Sequence, residues 1–86
     1  MTDAAFTLTT HAATAITERG IAIAWVARTI RRPERTEIDR WDPTLKHALR
    51  RISERGDRVL RVVYNDSAQP LRVVTAYFDR RQREPQ

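Results

Sequence analysis

The alternation of apolar and polar positions divides the chain into a helical front and a strand-rich back. From about Thr10 to Glu18, Ala12 and Ile16 fall four apart, Thr9 or Thr10 is a suitable N-cap, and Gly20 sits where a helix-terminating left-handed residue belongs. A second helix is predicted over Ile23 to Ile30, with Ile23, Val26, Ala27 and Ile30 on one stripe and Pro33 opposing continuation beyond Arg32. Phe6 to Thr9 reads either as a short edge strand or as the lead-in to the first helix. The period then shortens. Thr36 to Trp41, Leu45 to Ile52, Arg58 to Asn65 and Leu71 to Phe78 are runs bounded by turn residues, and they predict four strands with a hairpin at the end.

These elements predict one α+β domain over residues 1–86, with 1–5 and 81–86 frayed and two N-terminal helices packed on one face of a mainly antiparallel four-stranded sheet. Period-two alternation sorts the faces once loop lengths are assumed. A two- or four-residue turn at Arg55-Gly56 sets Arg50 opposite Arg61; an odd turn substitutes Arg51 for Arg50. A five-residue loop Asp66 to Pro70 sets Arg61 opposite Thr75, with Tyr77 on the same face. The face for the helices then carries Leu49, Leu60, Val62, Tyr64, Val74, Ala76 and Phe78, and the open face carries Lys46, Arg50, Arg61, Thr75 and Tyr77.

Arg61 breaks its apolar run, and a buried unpaired cation costs several kcal/mol. It must therefore meet water, an anionic ligand, or a carboxylate such as Glu37 or Asp39. If it meets ligand, Arg61→Ala is expected to leave the fold intact and remove activity. Composition points the same way: the formal net charge is +5, and all the basic residues except Lys46 are arginines, whose planar fork grips phosphate in a bidentate manner. Cysteine is absent, and the two histidines, His11 and His47, are too few for a structural zinc site, so neither metal nor cofactor is expected. His47 alternates with Leu45 and Leu49, which predicts a half-buried structural role on the core side. No apolar run approaches the ~20 residues of a membrane span. The expected location is the cytoplasm, away from membranes.

The segment from His11-Ala12 to Arg19-Gly20-Ile21 resembles the H-A-x-x-R-M-x-x-R-G-I opening of a family of small bacterial domains of unknown function. That family is similar to BrnT-like toxins of the RelE/ParE superfamily. Val26, Pro33, the Leu60 to Tyr64 run and the Val74 to Tyr77 run follow in the expected order, so the resemblance covers about residues 6–80. Position 15 departs from it, being Ala where the family usually has arginine, which leaves that role to a neighbour such as Arg19.

The resemblance implies a RelE/ParE-like fold and a toxin-type domain, in the first place a metal-independent endoribonuclease of a type II toxin-antitoxin system. Its partners would be RNA, including ribosome-bound mRNA, and a small antitoxin-like protein. In RNA cleavage of this kind a 2′-hydroxyl attacks the adjacent phosphate, so cations must surround the oxyanion while two protons move. The candidate catalytic residues are His11, Arg50, Arg61 and Tyr77, with His11 as the base because arginine stays protonated. Arg19, Lys46, Arg51, Thr75 and Arg80 are the candidate RNA-binding residues. Two other readings use the same surface: a non-catalytic nucleic-acid-binding module, and a ParE-type domain that binds a protein.

Overall fold

A computed structural model describes residues 6–81, so the ends expected to be frayed, 1–5 and 81–86, lie outside the described residues except for Arg81. In chain order the elements are β1 (Phe6–Leu8), α1 (Thr10–Glu18), α2 (Ile23–Arg31), β2 (Arg35–Ile38), β3 (Leu45–Ile52), a 3₁₀ turn (Ser53–Arg55), β4 (Arg58–Asn65) and β5 (Leu71–Phe78). The α+β class holds, but the sheet has five strands, ordered β1-β5-β4-β3-β2. It is mixed because β1 joins it parallel to β5, whereas the other pairs are antiparallel. Among the described residues no helix is long and apolar enough to cross a membrane.

Local chemistry sets both ends of α1. The Thr9 hydroxyl accepts the Ala12 N–H at 3.0 Å, and its own proton goes to the Val74 carbonyl at 3.3 Å, so the cap also ties the helix to β5. At the other end the Ile21 N–H bonds the Ile16 carbonyl and the Gly20 N–H bonds that of Thr17. This paired closure needs the positive φ of Gly20, +65°. Thr9→Ala is expected to cost about 1 kcal/mol, measured as a shift in the urea midpoint; no shift would remove the cap from this account.

The core lies between the helices and one sheet face, where Ala12, Ile16, Ile21, Val26, Ile52, Leu60, Val62, Val73 and Ala76 are buried together. In α2 the buried stripe differs from the expected one. Trp25, Val26, Thr29 and Ile30 face the sheet, and Ile23, about a quarter turn off their centre, is 48% exposed. The Trp25 ring meets Phe78 edge-on at 6.3 Å, and the buried Thr29 hydroxyl donates to the Trp25 carbonyl at 2.8 Å. A bulky aromatic and a hydroxyl satisfied within the helix thus replace the aliphatic pair expected from spacing.

Two register details decide which side chains share a face. Five residues link β3 to β4, from Ser53 to Asp57, with Gly56 and Asp57 both at positive φ, so Leu49 stands opposite Arg61 and Arg50 opposite Leu60. The even-length turn assumed from sequence was one residue off, and such a slip exchanges the two faces of a strand. Lys46 and Arg50 accordingly lie on the helix side, while His47, Leu49 and Arg51 lie on the opposite one. Between β4 and β5 a bulge at Val63/Tyr64 shifts the register again, and Arg61 faces Tyr77 while Val63 faces Thr75. Thr75 and Tyr77 keep the face predicted for them. On the turn side of the bulge Val73, rather than Val74, enters the core, at 0% exposure.

Candidate functional site

On the sheet face away from the helices, Arg61 occupies the middle of β4 with Leu49 on one side and Tyr77 on the other. It is only 6% exposed, and its neighbours on this face, Leu49, Val59 and Val63, are buried as well. The expectation of an arginine projecting into solvent fails here. The side is as predicted, but the centre of that face is apolar and closed.

The guanidinium is held from three directions. Its Nε donates to Asp79 Oδ2 at 2.9 Å, and its Nη1 donates to Glu37 Oε1 at 3.1 Å and to His47 Nδ1 at 2.7 Å. Asp79 follows β5 and extends the ladder through its N–H to the Val59 carbonyl, which turns its carboxylate onto the Arg61 face. Glu37 and His47 are cross-strand partners on β2 and β3. His47 continues the chain outward, because its Nε2 lies 2.7 Å from Asp39 Oδ1.

Arginine has no acceptor, so the Arg61 contact requires an unprotonated Nδ1 on His47 and places the ring proton on Nε2, where it is donated to Asp39. Neither ring nitrogen is left to move a proton for a substrate. The other oxygen of Asp39 accepts the N–H groups of Trp41 and Asp42, at 3.0 and 2.9 Å, and Asp42 in turn accepts the Thr44 N–H at 3.0 Å. A continuous polar chain therefore runs from Asp79 through Arg61, His47 and Asp39 to the β2–β3 turn. At that turn Trp41 is 84% exposed.

Charge balance in the cluster follows from these bonds. Hydrogen bonding to Arg61 holds the Glu37 carboxyl below its ordinary range against the opposing effect of partial burial, and Arg35, 2.9 Å away, adds to it. The bond from His47 lowers Asp39, assisted by the turn N–H groups. Burial alone would raise Asp79, but the Arg81 N–H and the Arg61 guanidinium outweigh it and the net direction is down. For Arg61 the desolvation that favours loss of the proton is overcome by Glu37 and Asp79, so it stays charged. The site is an ion-paired knot whose cation already has two carboxylates.

Of the four residues predicted for chemistry, Arg61 and Tyr77 are brought together as cross-strand neighbours, and His11 and Arg50 are not. His11 is exposed in the first turn of α1, in the helical layer, with the sheet between it and Arg61. Arg50 sends Nη1 to the Arg32 carbonyl at 2.8 Å on the helix side. Arg19 caps the end of α1 and bonds the Ala76 carbonyl at 2.9 Å, Ala15 is buried beneath that helix, and Lys46 pairs with Asp66 at 2.9 Å. Arg51, Arg61, Thr75 and Tyr77 share the face opposite the helices, where Arg51 pairs with Glu34 at 3.3 Å. Arg80 is exposed just beyond β5.

His47, Asp39, Glu37 and Asp79 complete the cluster. Only the Arg61–Glu37 pair was among the alternatives legible from sequence, and His47 was assigned to the wrong face by the one-residue register error. Arginine also serves the hydrophobic layer: the Arg55 and Arg58 guanidinium carbons lie 4.9 and 5.1 Å from the Phe78 ring centre.

No curated protein and no solved structure matches the chain. A family model matches residues 8–78, across both helices and the Arg61 face as far as Tyr77, and by that match the chain belongs to the DUF4258 family, a domain of unknown function.

Proposed function

We propose that this is a RelE/ParE-like, BrnT-like domain that acts by binding a protein, as ParE-type domains do, rather than by cutting RNA. The observation that carries this reading is the ion pairing of Arg61: Asp79, Glu37 and His47 take its Nε and Nη1 donors, three of the five a guanidinium offers, and both nitrogens of His47 are engaged. A phosphate gripped in a bidentate manner would have to take a donor from Nη1 or Nε, displacing Glu37, His47 or Asp79. The only other histidine, His11, is across the sheet. General acid–base catalysis requires a proton-transfer group within about 3 Å of the reacting atoms, and the predicted quartet does not meet that requirement.

A surface suited to protein contact stands beside the knot. Trp41 and Ile38 are 84% and 66% exposed at one end of the sheet, and Arg40 lies 5.7 Å from the Trp41 ring centre. Tryptophan and arginine are among the residue types that dominate binding energy at protein interfaces, and an exposed aliphatic group beside them enlarges the apolar patch. The Asp39 turn fixes the loop that displays Trp41, which lowers the ordering cost of docking.

The test is expression in a bacterial host with and without the neighbouring reading frame. Total RNA is expected to remain intact during induction, and a small antitoxin-like protein from the neighbouring frame is expected to co-purify. Trp41→Ala should weaken that association at least tenfold while leaving the urea midpoint unchanged. RNA cleaved by the purified chain, with cleavage lost in Tyr77→Phe, would overturn the reading in favour of the endoribonuclease. Binding to single-stranded RNA that falls with salt at a log-log slope of about −0.7 per displaced counterion would instead favour a nucleic-acid module.

A further inference from the structure

We infer that β2 is a self-association edge, on which a second copy of this chain pairs antiparallel about Thr36 to continue the sheet through the dimer. This inference stands apart from the reading of function above. β2 ends the five-strand sheet, and all four of its residues are exposed. Such an edge is a template for another strand unless something covers it.

The backbone of β2 has a definite outward set. The Asp39 N–H bonds the Leu45 carbonyl at 3.0 Å, in register with the Ile38↔Lys46 and Glu37↔His47 pairs. Alternation along an antiparallel ladder therefore turns the amide groups of Glu37 and Arg35 toward β3 and leaves those of Thr36 and Ile38 facing out. A two-fold axis at Thr36 lets the two Thr36 residues exchange both of their N–H···O bonds.

The same axis makes the side chains complementary. It places Arg35 opposite the second copy's Glu37, and Glu37 opposite the second copy's Arg35, in the closely spaced type of cross-strand pair. Within one chain these two residues are already 2.9 Å apart, so pairing exchanges partners without leaving either charge alone. An isologous contact of this kind closes at two copies and does not propagate.

Sedimentation velocity from micromolar to millimolar concentration tests the inference. The wild-type chain is expected to show a reversible monomer–dimer equilibrium. Thr36→Pro removes an outward N–H that β3 does not use, a position where an edge strand tolerates proline, and should abolish the dimer while the circular dichroism spectrum is retained. Arg35→Glu sets like charges opposite each other twice, by symmetry, and should weaken self-association at least about tenfold. A wild type that stays monomeric at all concentrations would overturn the inference. So would a dimer unchanged in Arg35→Glu, which keeps the test decisive even if Thr36→Pro lost its fold.

Discussion

Arg61→Ala is expected to lower the unfolding free energy by about 3–5 kcal/mol, the cost of removing one member of a buried ion pair and leaving its carboxylate without compensation. The Arg61 side chain is 7% exposed and that of Asp79 is 2%, so solvent does little to relieve the orphaned charge. Small domains bury a modest share of their surface and sit toward the lower end of the usual 5–15 kcal/mol of stability, so this loss would consume much of the total. Urea unfolding at neutral pH measures it as a displaced midpoint with an unchanged slope. The Arg61→Ala, Asp79→Ala double variant should lose less than the sum of the two single variants, because neither charge is then stranded. A single-variant loss below about 1 kcal/mol would show that the pair is not buried in solution.

This reverses the expectation from sequence that Arg61→Ala leaves the fold intact, and it changes how a phenotype at this position is read. Loss of activity in Arg61→Ala would follow from unfolding alone. A comparison with a core variant of matched stability separates the two causes, and Leu60→Ala is suitable because Leu60 is fully buried on the helix side of the same strand, where such a truncation typically costs 2–5 kcal/mol. If both variants lose activity to the same degree, Arg61 has a structural role. If only the arginine variant does, a ligand at Arg61 returns to consideration.

Much of the fold was legible because local signals are strong where they agree. Thr9, Gly20 and Pro33 delimit two short helices, and the bounds of the last three strands coincide with their apolar runs. Face assignment was less secure, because it depends on loop parity, and parity is not written in hydrophobicity. The Ser53 to Asp57 link uses a 3₁₀ turn followed by two left-handed residues, one of them Asp57, and positive φ is uncommon for residues other than glycine even where aspartate is among the more tolerant. One extra residue there moved His47 to Arg61 and took Arg50 away. The bulge between Val63 and Tyr64 had the opposite effect: it added a shift to that of the five-residue loop, so that Thr75 and Tyr77 remained on the predicted face. Nothing in the sequence marks Asp79 as the partner of Arg61, because it follows a strand, where a charged residue usually faces water, and only its N–H bond to Val59 turns it inward.

The same cluster makes the domain sensitive to acid. Glu37, Asp39 and Asp79 all have folded-state pKa values below the ordinary carboxylate range, for the reasons given by their bonds to Arg61, His47 and the backbone. A carboxyl depressed on folding contributes stability that is fully present above its unfolded value, near 4, and is lost as pH falls through the lower folded value. Stability should therefore be flat from neutrality to about pH 5 and fall steeply below about pH 4. Glu54 is lowered further, to about 2, by its bond to Arg28, but that pair is exposed and screened by solvent, so its share of the acid loss is small. The decisive comparison is Asp79→Asn, which removes the buried titration and should give a shallower acid limb from a lower plateau when urea midpoints are measured between pH 7 and pH 3. An Asp79→Asn limb as steep as that of the wild type would move the origin of acid unfolding away from the Arg61 knot, and stability that rose toward low pH would contradict the direction of all three shifts.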